Sequence, residues 1–409
     1  MITNLRAQNF KSWKDTGDLR LAPLTGLFGT NSSGKSSILQ LLLMLKQTAE
    51  SSDPNRVLHL GGDPKSYVDL GTFADVIHGH DLGSSLLLSI TWPISGRPFH
   101  FDVSLREENQ RIAISEFAYS GDGRSHRMSV RSDGQYDFVI DGERAFSAPP
   151  PQPFRLPLVV KPRGEKAPVH NLLEVELQDL SYLGPLRVPP RRSYLFRGTR
   201  PRDVGKDGEE TIQALLAVQQ SAPSVEKNVA EWLVKMKLIH SFKLRPIAPN
   251  RRDHEVLIKT TEESPEVLLT DVGFGVSQLL PVLVLCYYVP EGTTLLLEQP
   301  ELHLHPSAQS VLADVFIDVV KNRKLQIIFE SHSEHLLRRI QRRIAEETFP
   351  AQDASMYFCH IENGESHATA LELTDEGFIK NWPKDFFGDE MGEVAALAKE
   401  SISRRRQAR

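Results

Sequence analysis

The sequence predicts an α/β fold built on a mainly parallel sheet, and two observations predict it. The run Gly29-Thr30-Asn31-Ser32-Ser33-Gly34-Lys35-Ser36 matches the phosphate-loop pattern G-x-x-x-x-G-K-[ST]. It lies between a strand-like segment, Leu24 to Phe28, and a helix-like one carrying Ile38, Leu39, Leu41, Leu42, Leu43 and Leu45. The last third of the chain then alternates helix and strand: Leu279 to Tyr288, Thr294 to Leu297, Ser307 to Val320, Leu325 to Phe329 and Glu334 to Ile344. Alternation of this kind implies parallel strands with helices packed on them. The order suggests one nucleotide-binding core split by a central insertion.

The phosphate loop carries specific chemistry. Gly29 and Gly34 let the backbone curl so that successive N–H groups point at a β-phosphate, and the following helix adds the positive end of its dipole. Lys35 reaches the β- and γ-phosphates in such a loop, and the Ser36 hydroxyl holds Mg²⁺. Asn31, Ser32, Ser33 and Ser37 complete the candidate nucleotide-binding set. The expected ligands are therefore ATP and Mg²⁺.

Bulk composition bounds the rest. The chain has 409 residues, 40% hydrophobic and 25% charged, which is ordinary globular composition with length for two or three cores. Its two cysteines, Cys286 and Cys359, sit in apolar surroundings, and no amino-terminal stretch joins a basic region to an apolar one. A reducing cytoplasm fits that pattern. The longest apolar run, Leu279 to Val289, contains Pro281 and falls short of the roughly 20 residues a bilayer requires, so no membrane span is expected. A net charge of −5 means that any nucleic-acid contact must come from a local patch.

Between the two core halves the pattern changes. Leu86 to Ile90, Phe99 to Val103, Arg111 to Ile114, Met128 to Val130 and Tyr136 to Ile140 are short alternating segments separated by Gly, Asn and Asp, a meander of antiparallel strands. The proline-rich run Ala148 to Pro153 breaks regular structure and reads as an exposed loop, with a proline-helix docking motif as the alternative. Leu173 to Leu177 reads as a strand, and Ile212 to Val218 and Val225 to Ile239 as helices, without a heptad register that persists. The expected divisions are 1–80 for the first core half, 81–170 for the β-rich insertion, 171–265 for a mixed or helical lobe, 266–365 for the second core half, and 366–409 for an extension with a basic tail.

The second core half carries the other motifs. Thr293 to Leu297 is an apolar strand ending in Glu298, Gln299, Pro300 and Glu301, the form of a strand that delivers a carboxylate to Mg²⁺. Upstream, Asp271-Val272-Gly273-Phe274-Gly275-Val276-Ser277-Gln278 opens an apolar helix with small residues, and downstream Phe329-Glu330-Ser331-His332-Ser333 ends a strand with a histidine. With Leu302-His303-Leu304-His305-Pro306 between them, this order resembles the ABC-type ATPases of the SMC, RecF and OLD (overcoming lysogenization defect) group. In particular it is similar to short bacterial OLD-like, AAA-type members without a Toprim domain, as found in anti-phage defence.

The resemblance implies an ABC-like P-loop core, a mixed sheet flanked by helices, with a β-rich insertion and a helical signature lobe. It also implies roles by motif position. Lys35 and Ser36 bind phosphate and metal, Glu298 stands at the metal-side acid, and His332 senses the γ-phosphate. Gly275, Val276 and Ser277 contact nucleotide held by a second subunit. Such proteins form a head-to-tail homodimer that sandwiches two ATP molecules, in some cases within a larger assembly. A helix start rich in Gly and Ser offers unpaired N–H groups to a γ-phosphate, so nucleotide becomes part of the interface.

Three departures qualify these roles. The signature reads Gly-Val-Ser-Gln where better-known members have Ser-Gly-Gly. Gln299 stands where many relatives carry a glutamate, and an amide orients water but cannot take a proton at neutral pH. Either Glu301, Glu298 or His332 takes over, or turnover is slow and the protein works as a long-lived ATP-held clamp. The usual glutamine loop has no clear match, Asp69 to Phe73 being the nearest candidate.

Smaller features remain. His303 and His305 read as a turn shaping the dimer contact, because only Glu301 is near enough in sequence to complete a metal site. Arg187, Arg191, Arg192, Arg197, Arg200, Arg202 and Lys206 form a basic run, with Tyr194 and Phe196 interleaved and few acids nearby. It reads equally as a nucleic-acid contact and as a solvated face or a surface for an acidic protein. Arg404, Arg405, Arg406 and Arg409 form a tail expected to be disordered. Only about 75 residues follow His332 and no acidic triad is evident there, so nuclease chemistry within the chain is not expected. The leading expectation is thus an ATPase sensor or clamp subunit of an anti-phage system with a separately encoded effector such as a nuclease. The alternative is a RecF-like repair ATPase that loads onto DNA. A monomeric P-loop kinase ranks third, since it leaves the Gly-Val-Ser and Ser-His-Ser motifs without a task.

Overall fold

The computed structural model describes residues 1–53, 56–94, 96–121, 123–131, 135–148, 176–384, 386–388 and 396–397. A six-stranded sheet forms the core, in the spatial order Leu180–Leu183, Thr294–Glu298, Gln326–Glu330, Leu24–Gly29, Ala354–Glu362 and Glu365–Ala370. The first five strands are parallel, and the last closes an antiparallel hairpin. Parallel strands covered on both faces need unbroken apolar runs rather than alternation. Leu295, Leu296 and Leu297, with Ile327, Ile328 and Phe329 beside them, supply those runs and have no exposed surface. The α/β class and the mainly parallel sheet expected from the helix–strand alternation are those observed.

Strand order decides where the chemistry gathers. The strand Gln326–Glu330 lies between the phosphate-loop strand and the strand ending in Glu298. The carboxyl ends of all three therefore meet at one edge, where open α/β sheets hold their ligands.

A second, nine-stranded sheet is antiparallel throughout and contains the expected meander, as strands Leu86–Ile94, Arg97–Glu108, Arg111–Gly121, Arg124–Val130 and Tyr136–Ile140. It does not stand apart from the core. Leu86–Ile94 pairs with Asn4–Phe10, which pairs in turn with Trp13–Asp15. The phosphate-loop helix Lys35–Ala49 packs between the two sheets, its Leu39 and Leu42 sharing one apolar cluster with Leu88 and Ile90 on one side and Leu296 and Ile328 on the other. A helix enclosed in this way is apolar nearly all round, which explains its run of leucines.

The remaining lobe is mixed. Helices Thr211–Val218 and Ser224–Lys235 pack against the helix Phe274–Tyr288, beside a small antiparallel sheet centred on Asp253–Lys259. One local expectation fails. Glu176 to Gln178 is a helical turn rather than the end of a strand, and Leu173 to Val175 lie outside the described residues. The turn is fixed by tertiary contacts: Leu177 is fully buried, Gln178 Nε2 donates to the Ala49 carbonyl at 3.3 Å, and Lys46 Nζ donates to the Gln178 carbonyl at 3.1 Å. Pro149 to Pro153 and the arginines of the tail also lie outside the described residues.

Beyond the closing hairpin, Trp382, Phe386 and Phe387 form an aromatic group against Phe28, whose ring meets those of Phe329, Phe386 and Phe387 edge-on at 5.7, 6.1 and 6.2 Å. Phe28 is the residue before Gly29, so this packing also fixes the start of the phosphate loop. Phe28→Ala should lower the unfolding free energy by about 3–5 kcal/mol, the usual cost of removing a buried aromatic ring. Chemical denaturation checks this, and a loss below about 1 kcal/mol would contradict the role given to the cluster.

Candidate functional site

The phosphate loop is held open by sterics on both sides. Gly29 has φ of 133°, and a Cβ there would lie 1.9 Å from the carbonyl oxygen of Cys359 on the neighbouring strand. Gly34 has φ of 88°, and a Cβ there would come within 2.6 Å of Ser366 Oγ and Trp13 Nε1. Only glycine fits either position. Trp13, fully buried, donates its indole N–H to the Gly34 carbonyl at 3.1 Å. Ser33 is buried with its hydroxyl on the Thr30 carbonyl at 2.8 Å, whereas Asn31 and Ser32 are exposed on the loop and Ser37 is half-buried in the first helical turn.

Lys35 is 3% exposed and donates to the carbonyls of Thr30 and Gly29 at 2.6 and 3.2 Å, with Glu330 at 3.9 Å. Burial pushes its ammonium below the usual range, while the Glu330 carboxylate opposes that shift. Ser36 donates its hydroxyl to Glu330 at 2.6 Å, not to Glu298. Glu298 is one strand further away, its backbone in register with that of Glu330, and its carboxylate accepts from the Tyr182 hydroxyl at 2.9 Å. Burial pushes Glu298 up to about 7, with the neighbouring Glu330 charge adding to the shift, and burial also raises Glu330. Glu330 and Glu298 at adjacent strand ends, with Ser36 at the helix start, thus form a set of oxygen donors. That set suits a hard divalent cation, whose charge would offset the crowding of two desolvated carboxylates.

Past Glu298 the chain turns sharply. Gln299 has φ of 43°, uncommon for any residue but glycine, and its N–H donates to the Glu330 carbonyl at 2.9 Å. Glu301 is buried. One of its carboxylate oxygens accepts from Ser331 Oγ at 2.7 Å and from the backbone N–H of His332 at 3.0 Å. His332 itself is exposed, and partial desolvation together with the Lys35 charge holds its imidazole below the usual range. The structure therefore gathers Lys35, Ser36, Glu298, Gln299, Glu301 and His332 at one sheet edge.

The signature residues stand differently. Gly275 approaches the His303 carbonyl, which a Cβ would meet at 3.2 Å, and the Phe274 ring meets His303 edge-on at 4.9 Å. Val276 and Ser277 are buried, and the Ser277 hydroxyl donates to the Phe274 carbonyl at 2.8 Å. The helix start thus presents backbone and Phe274, which is 52% exposed, rather than the side chains of Val276 and Ser277. His305 caps the helix Pro306–Arg323 through its ring nitrogen. Among the described residues no cluster of three or more potential metal ligands includes either histidine.

The basic run is not the free stripe that its sequence suggests. Arg187 is buried against the acidic strand end, and Arg192, Arg197 and Arg202 pair with Asp271, Glu210 and Glu50 at 3.1, 2.7 and 2.9 Å. Asp271 and Glu50 are distant in sequence and reach the run only through the fold, whereas Glu210 lies just beyond its end. Two positions at this edge were not singled out in the sequence, Glu330 and Tyr182, and a third, Arg187, was read only as part of the basic run. Glu330 had a readable signal, an acid ending an apolar strand in the same setting as Glu298. Tyr182 and Arg187 had none, because the pairing of Leu180–Leu183 with Thr294–Glu298 cannot be read locally. Glu330→Gln keeps the shape and removes the charge. It should weaken Mg²⁺-dependent nucleotide binding by about tenfold, with metal-free affinity little changed. Calorimetry with and without Mg²⁺ checks this, and equal losses in both conditions would remove Glu330 from the metal set.

Residues 350–397 match a family described as a protein of unknown function, DUF3696. The OLD nuclease of Thermus scotoductus is 23% identical over 351 residues, covering 81% of this chain and 59% of that protein. An SMC head bound to the C-winged helix domain of ScpA and the SMC head domain from Thermotoga maritima each cover 91% of this chain, spanning 98% and 99% of their own chains, at 14% and 12% identity with TM-scores of 0.47 and 0.41. The family described as "AAA domain, putative AbiEii toxin, Type IV TA system" matches residues 24–338. That span runs from the phosphate-loop strand past His332, and the chain belongs to this AAA-domain family of P-loop ATPases.

Proposed function

We propose that this chain is an ATPase switch: two copies close around ATP and Mg²⁺, and the closed form acts as a sensor or clamp subunit of a bacterial anti-phage defence system with a separately encoded effector. The observation that carries the nucleotide part is the convergence of Lys35, Ser36, Glu330 and Glu298 below the phosphate-loop amides. Support for the defence part comes from the likeness to the OLD nuclease, together with a site whose residues all address nucleotide. A nuclease or similar effector supplied by another chain fits that pairing.

In this reading the loop amides and Lys35 grip the β- and γ-phosphates, while Ser36, Glu330 and Glu298 hold Mg²⁺. The bound cation offsets negative charge on the phosphate oxygens. Gln299 orients the attacking water without taking its proton. His332, held towards the neutral imidazole, lies beside Lys35 as a γ-phosphate sensor and proton acceptor, and Glu301 fixes its backbone. Turnover by such a set is slow, so each closure is long-lived. The start of the helix Phe274–Tyr288 offers its amides to nucleotide held by the other copy. Direct loading onto DNA is the weaker reading, because Arg187 is buried and Arg192, Arg197 and Arg202 form ion pairs within the chain.

Lys35→Ala should abolish ATP binding, and sedimentation should show a dimer or larger assembly for the natural chain only with ATP and Mg²⁺. A chain that stays monomeric under those conditions overturns the sandwich. Gln299→Glu should speed phosphate release on the order of 10²-fold by restoring a general base; an unchanged rate means that Gln299 is not at the attacking water. Phosphate release should be indifferent to DNA. Stimulation that disappears in Arg191→Glu/Arg192→Glu would favour the repair reading instead. Purification from the native host should bring down a neighbouring gene product, and elution of the chain alone removes the effector.

A further inference from the structure

We propose that Arg187 is a positioning residue for hydrolysis: its buried guanidinium clamps the turn Glu298-Gln299 and so holds Gln299 in the left-handed conformation that places its amide at the site. The inference rests on the ATPase reading above and adds to it a residue outside the recognised motifs.

The chain places Arg187 with care. It follows the strand Leu180–Leu183, whose Leu183 is in register with Leu297, so the segment after that strand emerges beside the Glu298 turn. The segment is pinned on both sides of Arg187: Gly184 N–H donates to the Lys206 carbonyl at 2.8 Å, and Val188 N–H to the Asp207 carbonyl at 2.9 Å. Leu186 and Val188 point outward, 79% and 38% exposed, while Arg187 between them is 6% exposed. An arginine turned inward between two outward-facing apolar residues reverses the usual order. Something inside must favour it.

What it meets is the catalytic turn. Arg187 Nη2 donates to the carbonyls of both Glu298 and Gln299, each at 3.4 Å. These bonds are long, and the same guanidinium keeps Nε and Nη1 buried with no hydrogen-bond partner among the described residues. One carboxylate oxygen of Glu301, two residues further along the turn, is likewise buried and without a partner. Unpaired buried groups of opposite charge are costly in an interior, and the Glu301 carboxylate acts on Arg187 electrostatically. Burial lowers Arg187 to about 10, so it remains a cation at neutral pH. A single cation thus contacts the backbone of both residues flanking the strand end and faces the carboxylate that orients Ser331 and His332.

The strain explains why a clamp is needed. Gln299 at φ of 43° is held from one side by its N–H on the Glu330 carbonyl, and Arg187 holds its carbonyl on the other. With the second tie removed, the turn relaxes and the amide leaves its place, while the phosphate loop is untouched. Nucleotide affinity and turnover therefore separate.

The experiment measures ATP affinity by calorimetry and phosphate release in single turnover for the natural chain, Arg187→Met and Arg187→Lys, with melting temperatures for all three. Arg187→Met keeps the length and loses the charge and the fork. It should bind ATP within about twofold of the natural chain and release phosphate about tenfold more slowly, a loss in kcat rather than KM. Arg187→Lys, which restores the cation, should recover part of the rate. Where Arg187→Met does not fold, Arg187→Lys alone decides, because a point charge without the fork should still turn over more slowly at unchanged affinity. Equal loss of affinity and rate, or an unchanged rate in a folded variant, overturns the clamp. A natural chain that binds ATP but releases no phosphate overturns the hydrolysis reading and the clamp with it, whereas an active natural chain with unaffected variants overturns the clamp alone.

Discussion

Desolvation of three neighbouring charges is the constraint on which this structure depends. Lys35 at the helix start and Glu330 at the strand end below it are buried, and Glu298 on the next strand is half-buried. Desolvation works against each charge, and the two acids also work against each other. Such a cluster persists because the hydroxyls of Ser36 and Tyr182 and the loop carbonyls supply compensating hydrogen bonds. A ligand that brings a divalent cation to the acids and an anion to the ammonium and loop amides relieves every uncompensated charge at once. A ligand with only one of those parts relieves half and aggravates the rest.

The antiparallel sheet contributes by the same logic. Its strand Trp13–Asp15 delivers an indole N–H to the carbonyl of Gly34. The hairpin formed by Ala354–Glu362 and Glu365–Ala370 closes over the same loop through Ser366, whose hydroxyl donates to Ser12 at 2.6 Å. Those contacts leave no room for a Cβ at Gly34. The loop is therefore shaped from outside as well as by its own glycines. The sheet that carries the meander thus also reaches the phosphate loop, through its amino-terminal strand Trp13–Asp15.

The parts of this molecule that were legible in the sequence are those fixed locally. The phosphate loop, the leucine-rich helix after it, the meander and the helix–strand alternation of the last third follow from spacing and turn residues within a few positions of each other, and the structure has all of them. The parts that were not legible are pairings across long stretches of chain. Nothing near Tyr182 says that Leu180–Leu183 will lie beside Thr294–Glu298, yet that pairing gives Glu298 its hydrogen bond and Arg187 its place. The partners of the basic run are partly of the same kind: Asp271 and Glu50 are remote in sequence from Arg192 and Arg202, whereas Glu210, which pairs with Arg197, lies just past the run. Glu330 was legible and overlooked, because the histidine two positions on is the more conspicuous feature of that strand end.

Gln299 is where these constraints meet. A sequence offers it as an amide in a place where a carboxylate is commoner, which alone predicts slow chemistry. The backbone adds that the residue is held in a left-handed turn, tied through its N–H to the Glu330 carbonyl. Strain of this kind costs on the order of 1–3 kcal/mol and survives only where neighbouring structure over-determines it. An enzyme under selection for speed alone would gain from a carboxylate there and lose little by relaxing the turn. A switch gains from the opposite: a rigid, weakly activating residue that keeps nucleotide intact while the closed form does its work. In the switch proposed above, the amide and the strained turn act as one device that sets the lifetime of the closed state.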